Sequence, residues 1–172
     1  DERFDCKSLE RLSPNHPLDF LGMEISMDSD RIYLSMEKYI RQAVTHMEAA
    51  GFGILTTVSS PMDVSIDWES GPLDVDLRRV FMTGCGFLGW IDNTGRPDIS
   101  YAHSRIAQHL SAPTKSAWDA LKRVFRYLKS TADLCLSATL YGPNRDLSSS
   151  VLISSQADIE WKLYCDSDFA GN

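Results

Sequence analysis

Thr114-Lys115-Ser116-Ala117-Trp118-Asp119-Ala120-Leu121-Lys122-Arg123-Val124-Phe125-Arg126-Tyr127-Leu128-Lys129-Ser130 is the stretch that decides the fold. Trp118, Leu121, Phe125 and Leu128 recur at alternating spacings of three and four, the period of a helix with one buried stripe. Thr114 offers its hydroxyl to the first unpaired amides of that helix. The cations Lys115, Lys122, Arg126 and Lys129 stand seven, four and three residues apart, which at ~100° per residue gathers them within about 60° of arc. The apolar positions centre roughly 100° from that arc, so the aromatics are expected to dock inward while the cations face out.

Upstream, the pattern predicts three more helices and a hairpin. Ile40, Ala43, Val44 and Met47 follow Ser35 at helical spacing, and Gly51 supplies a stop. Val80, Phe81, Leu88 and Ile91 form a second helix, in which Gly84, Gly86 and Gly89 suit close helix packing. Arg96-Pro97-Asp98 opens a third, with Ile99, Ala102, Ile106 and Leu110 on one face. Asp19 to Ser26 and Arg31 to Leu34 flank the polar Met27-Asp28-Ser29-Asp30 and predict a β-hairpin. Asp63, Asp67, Glu69, Asp74 and Asp76 lie in a stretch without sustained period, expected as an exposed acidic loop. After Ser130, Leu134 to Tyr141, Val151 to Ser154 and Trp161 to Cys165 read as strands. The fold class expected is α+β: a β-hairpin region over 1–34, a four-helix bundle over 35–131, and a strand-rich segment over 132–172.

Composition narrows the function classes. With 172 residues and 43% hydrophobic content the chain can bury a core, and no apolar run approaches the roughly 18 residues of a membrane span. The four cysteines, Cys6, Cys85, Cys135 and Cys165, show no C-x-x-C pair and no disulfide framework, which fits a reducing intracellular compartment, cytoplasmic or nuclear, with no membrane partner. The net charge of −7 speaks against a generally basic surface but leaves room for a local cationic stripe.

Two stretches could carry chemistry. The cationic stripe could track a phosphate backbone, with counterion release giving steep salt dependence, or could be an ordinary solvated face. Cys165-Asp166-Ser167-Asp168 ends a strand with Asp166 and Asp168 on one side, a start toward a magnesium site that two carboxylates alone do not complete. His103 and His109 do not share a helix face, His16 and His46 are isolated, and all four read as structural. Gly84-Cys85-Gly86 lies inside a helical period, so it is no phosphate loop, and Cys85 has no evident base.

Six strings in order resemble the polyprotein of copia-type LTR retrotransposons, in the reverse-transcriptase stretch that follows the polymerase palm. Asp19-Phe20-Leu21-Gly22-Met23-Glu24-Ile25 is similar to F-L-G-I-E-I, and Leu34-Ser35-Met36-Glu37-Lys38-Tyr39-Ile40 to L-S-Q-x-K-Y-I. Ser60-Pro61-Met62 resembles T-P-M, and Gly95-Arg96-Pro97-Asp98-Ile99-Ser100-Tyr101-Ala102 resembles T-R-P-D-I-x-Y-A. The Ala117 to Thr131 string is similar to H-W-x-A-x-K-R-V-L-R-Y-L-K-G-T, and Cys165 to Asn172 to the S-D-A-D-W-A-G-D that opens the ribonuclease H domain.

The resemblance implies a primer-grip-like hairpin, a helical thumb and connection, and the first strands of an incomplete ribonuclease H-like sheet. It implies that Lys115, Lys122, Arg123, Arg126 and Lys129 hold a primer–template or RNA–DNA hybrid by its backbone, in company with the remainder of the polyprotein. It also implies that Asp166 is a catalytic carboxylate and Mg²⁺ ligand in the intact parent enzyme. The polymerase's Y-V-D-D string and the further ribonuclease H carboxylates are not among these residues, so this stretch is expected to be silent alone and to need no cofactor. Phe81 to Trp90 departs from the family's Y-R-S-L-V-G-S-L-x-Y-L, a sign of altered packing around the second helix. The alternative is a retroelement-derived scaffold that contacts protein through the Trp118 face, or a relic without function.

Overall fold

A computed structural model describes residues 12–63, 65–68 and 70–139. The run expected as one strand from Asp19 to Ser26 is folded in two. Strand β1 (Leu18–Phe20) turns through Leu21 and Gly22 into β2 (Met23–Met27), with Phe20 paired to Met23. Both turn residues hold positive φ, 51° at Leu21 and 83° at Gly22, which is the hairpin geometry whose twist matches the flanking strands. Leucine is a rare occupant of that region, and this is why the turn was not legible.

The second hairpin falls where the sequence places it. Strand β3 (Arg31–Ser35) pairs antiparallel with β2, and the Asp28 carboxylate caps the turn by accepting from the Asp30 and Arg31 amides at 3.1 and 2.9 Å. Its second oxygen accepts from the Tyr33 hydroxyl at 2.7 Å. The Tyr33 hydrogen bond, then the backbone amides, hold the Asp28 carboxyl down at about 2. Such a group favours the folded turn above its ordinary value near 3.8 and gives that up only as pH falls through the folded value. The Asp30 and Arg31 amide resonances are therefore expected to titrate near pH 2 in an NMR series, and a midpoint close to 4 would refute the cap.

Helix α1 (Glu37–Met47) follows and is stopped by a wide turn, Glu48–Phe52, in which Gly51 takes φ 137°, as its role of helix stop requires. Irregular chain then leads to α2 (Val75–Thr94), a short 3₁₀ turn Pro97–Ile99, α3 (Ser100–Ala107) and α4 (Lys115–Ser130). Helix α3 stops earlier than its apolar period, so Leu110, expected on its buried face, stands in the following turn and is exposed. Strand β4 (Cys135–Thr139) pairs along the whole of β3, from Ser35 opposite Cys135 to Arg31 opposite Thr139. Among the described residues the sheet is thus a four-stranded antiparallel meander in the order β1-β2-β3-β4, and with four α-helices beside it the fold is mixed α and β. The hairpins, helices and β4 fall in one compact unit, Asp1–Thr139. The expected strands beyond it lie outside the described residues.

The core is helical. Ile40, Ala43, Val44 and Met47 of α1 meet Phe81, Cys85, Leu88 and Ile91 of α2, with Ala102 and Ile106 of α3 and Trp118, Leu121, Val124, Phe125 and Leu128 of α4. Gly84 lets α2 approach α4: a Cβ there would stand 2.8 Å from Leu121 Cδ2 and 2.9 Å from Met47 Cε. The packing role expected of the glycines falls on this one most sharply, since a Cβ on Gly86 would meet open space. Burial pushes the Cys85 thiol up to about 12, so it has no nucleophilic role.

The acidic stretch is less exposed than expected. Its carboxylates Asp63, Asp67, Asp74 and Asp76 face solvent, but Leu73 is buried and Met62, Ile66 and Trp68 pack against the core. Trp68 stacks on His109 at 5.1 Å with the Arg105 guanidinium 5.3 Å from its ring. His46 lies edge-on to Phe87, and His103 shares Asp92 with Ser100, so these histidines serve packing and pairing.

Candidate nucleic-acid interface

Helix α4 carries the cations that the sequence singles out. Thr114 caps it as expected, its hydroxyl accepting from the Ala117 amide at 3.2 Å. Trp118 keeps only 8% of its surface, set edge-on to Phe52 at 4.8 Å, so the Trp118 face is core and not a docking surface for another protein. That corrects the expectation for the scaffold alternative, because a ring enclosed by Phe52 and the helix bundle has no area left to offer.

The five cations do share the outer side of α4, but they have different duties. Lys115 is exposed. Lys122 is half-buried, its ammonium 5.9 Å from the Phe52 ring centre. Arg123 donates to Ser60 Oγ at 3.0 Å and stands 3.6 Å from the Asp63 carboxylate, while its Nε is buried without a partner among the described residues. Arg126 donates through Nε to the Thr56 carbonyl at 2.9 Å. Lys129 donates to Glu48 Oε1 at 2.7 Å and to the Leu55 carbonyl at 3.0 Å.

Arg123, Arg126 and Lys129 thus fasten residues 55–63 along the helix, with Ser130 adding a bond to the Val58 carbonyl at 2.8 Å. The Glu48 carboxyl is held below its ordinary value by the Lys129 ammonium and by the Leu55 amide. Between loop and helix lies a cleft of about 330 Å³ walled by Asp63, Asp67, Asp119, Arg123 and Arg126.

A second polar cluster escaped the sequence reading. Arg96 retains 2% of its surface. Its Nε and Nη2 donate to the two Asp98 oxygens at 2.8 Å each, and Nη1 and Nη2 reach the Thr131 carbonyl and hydroxyl at 2.7 and 2.8 Å. Tyr127 donates to the same Asp98 at 2.8 Å and lays its ring 5.6 Å from the guanidinium. The available signal is an Arg and an Asp bracketing a proline between apolar helices, which as a pattern marks a helix start and a family-like string but not a buried ion pair.

Asp166, expected as catalytic carboxylate and magnesium ligand, lies outside the described residues. Among those residues no group of three His, Cys, Asp or Glu could hold a metal ion, and no helix is long and apolar enough to cross a membrane.

No family model and no solved structure matches the chain. Its sequence is 30% identical over 164 residues to an uncharacterized mitochondrial protein of Arabidopsis thaliana, covering 95% of this chain and 60% of that one. It is 34% identical over 139 residues to the retrovirus-related Pol polyprotein from transposon RE2 of the same plant, covering 77% of this chain and 8% of the polyprotein. The corresponding polyprotein from transposon TNT 1-94 of Nicotiana tabacum is 30% identical over 125 residues, 67% of this chain and 9% of that one. The chain therefore spans over half of the mitochondrial relative and less than a tenth of either of these polyproteins.

Proposed function

Homology to the Pol polyproteins of copia-type retrotransposons covers most of this chain, and from it we propose that the helical unit grips a primer–template RNA–DNA hybrid by its phosphate backbone, as the thumb and connection of a reverse transcriptase. The supporting observation is α4 itself. It buries every apolar side chain of its inner face and carries its cations on the opposite side, where Lys115, Lys122 and the outer nitrogens of Arg126 can meet phosphates. In this reading the hairpin β2–β3 is the primer-grip element, and Asp166 would be the residue that holds Mg²⁺ for hydrolysis of the RNA strand, within a larger polyprotein.

Fluorescence anisotropy of a labelled hybrid across a salt series tests the proposal. The parent is expected to bind with a negative log–log salt slope, each phosphate contact adding about 0.9. Lys115→Gln/Lys122→Gln should flatten that slope by about 2 and weaken binding roughly tenfold at low salt. No binding by the parent at low salt would overturn it.

A second reading has its own observation. Val75, Met82 and Trp90 are 73%, 58% and 38% exposed along one side of α2, an apolar face suited to a protein-contacting scaffold. Salt-insensitive association that α2 substitutions abolish would favour it.

A further inference from the structure

We propose that residues 56–63 are an autoinhibitory strap, occupying the anion-binding side of α4 and yielding it when a phosphate backbone arrives. The inference rests on the hybrid-binding reading above. Its first support is what the strap offers the helix. Arg126 holds the Thr56 carbonyl, Ser130 the Val58 carbonyl, and Arg123 both the Ser60 hydroxyl and the Asp63 carboxylate. These acceptors meet α4 between Arg123 and Ser130, so one polar chain lies against the cations much as a nucleic-acid backbone would. A phosphate oxygen is a stronger acceptor for guanidinium than a carbonyl or hydroxyl, which gives the exchange its direction.

The second support is how lightly the strap is held. Side chains of α4 tie the strap to the fold, while its local bonds are short-range: Ser60 donates to the Met62 carbonyl at 3.2 Å, and the Asp63 carboxylate accepts from the Ser65 amide and hydroxyl at 3.1 and 2.8 Å. The flanks are firm by contrast. Leu55 is buried, with its amide on Glu48 and its carbonyl on Lys129, and beyond the strap the Gly71 carbonyl and Leu73 amide bond to Lys115 and Pro113. Within the strap Met62 packs against the core only as a half-buried side chain. Thr56 to Asp63 can therefore lift while both ends stay fastened.

The test removes strap ties without touching α4. Ser60→Ala/Asp63→Asn is compared with Asp76→Asn, which makes the same change in charge on the exposed first turn of α2. Anisotropy titration with the labelled hybrid is expected to show about fivefold tighter binding by the strap variant than by the control, the scale of one weak hydrogen bond and one partly exposed ion pair. Equal affinities, or weaker binding by a strap variant that melts like the parent, would overturn the strap and leave the hybrid-binding reading standing. No binding by any of the proteins at low salt would overturn both.

Discussion

Arg96→Met is expected to lower the unfolding free energy by about 2–3 kcal/mol, the cost of removing a buried guanidinium from its hydrogen bonds, discounted because the Asp98 carboxylate it pairs with stays 36% exposed. The Arg96 guanidinium is enclosed and makes four bonds within 2.8 Å, to Asp98 and to Thr131. Thr131 is the residue that ends α4, so Arg96 also places a positive charge at that helix's carboxyl terminus. Its removal strands the Asp98 carboxylate against the Tyr127 hydroxyl and leaves the Thr131 carbonyl without its donor. Urea unfolding followed by tryptophan fluorescence measures the loss, as a lower midpoint at unchanged slope. A loss under about 1 kcal/mol would mean that water replaces the guanidinium, and the clasp would not be structural.

Acid should act on the same clasp in a known direction. Burial pushes the Asp98 carboxyl up, but hydrogen bonds from Arg96 and Tyr127 outweigh it and hold the group below its ordinary value. A depressed carboxylate stabilises the fold fully above its unfolded value, near 3.8, and that contribution fades as pH falls through the folded one. Stability differences between the parent and Arg96→Met should accordingly narrow below about pH 4.

What the sequence made legible follows from the range over which each feature is determined. Helix α4 was readable to its cap, since Thr114, Trp118, Leu121, Phe125 and Leu128 state period and start within one stretch. The buried set of α1 was equally plain. The fold between β1 and β2 was hidden because Leu21 sits in a backbone region that its side chain disfavours, which leaves Gly22 as the one turn-forming residue inside an apolar run. Strand β4 was expected as a strand, but its partner β3 lies about a hundred residues earlier, and pairing at that distance carries no local mark.

The candidate interface divides in the same way. Periodicity put the cations on the outer side of α4, and it could not reveal that the carbonyls of Leu55, Thr56 and Val58 would be brought against that side. Arg96 was invisible for a related reason. Its burial depends on Thr131 and Tyr127, which reach it only once α4 has packed beside the 3₁₀ turn.

Lys129→Glu should show which of the α4 cations are fastenings. The substitution puts a carboxylate where the ammonium now bonds Glu48 at 2.7 Å and the Leu55 carbonyl at 3.0 Å. Two charge-assisted bonds are lost and like charges face each other, for an expected destabilisation of about 2 kcal/mol, moderated because both side chains keep partial contact with water. The pH dependence separates this from a general defect. In the parent, the Lys129 hydrogen bond and the Leu55 amide depress the Glu48 carboxyl, which supports the fold above its ordinary value near 4.5 and ceases to as pH falls through the folded one. In the variant the two facing carboxylates disfavour the fold at neutral pH and are relieved when one takes up a proton. Thermal melts of the two proteins should therefore differ most near pH 7 and converge toward pH 4, whereas a gap constant with pH would assign the loss to packing alone. Because the same substitution loosens the flank of the strap, reversal of Lys129 mixes two effects in any binding experiment, and neutralising Lys115 and Lys122 is the cleaner probe of contact with nucleic acid.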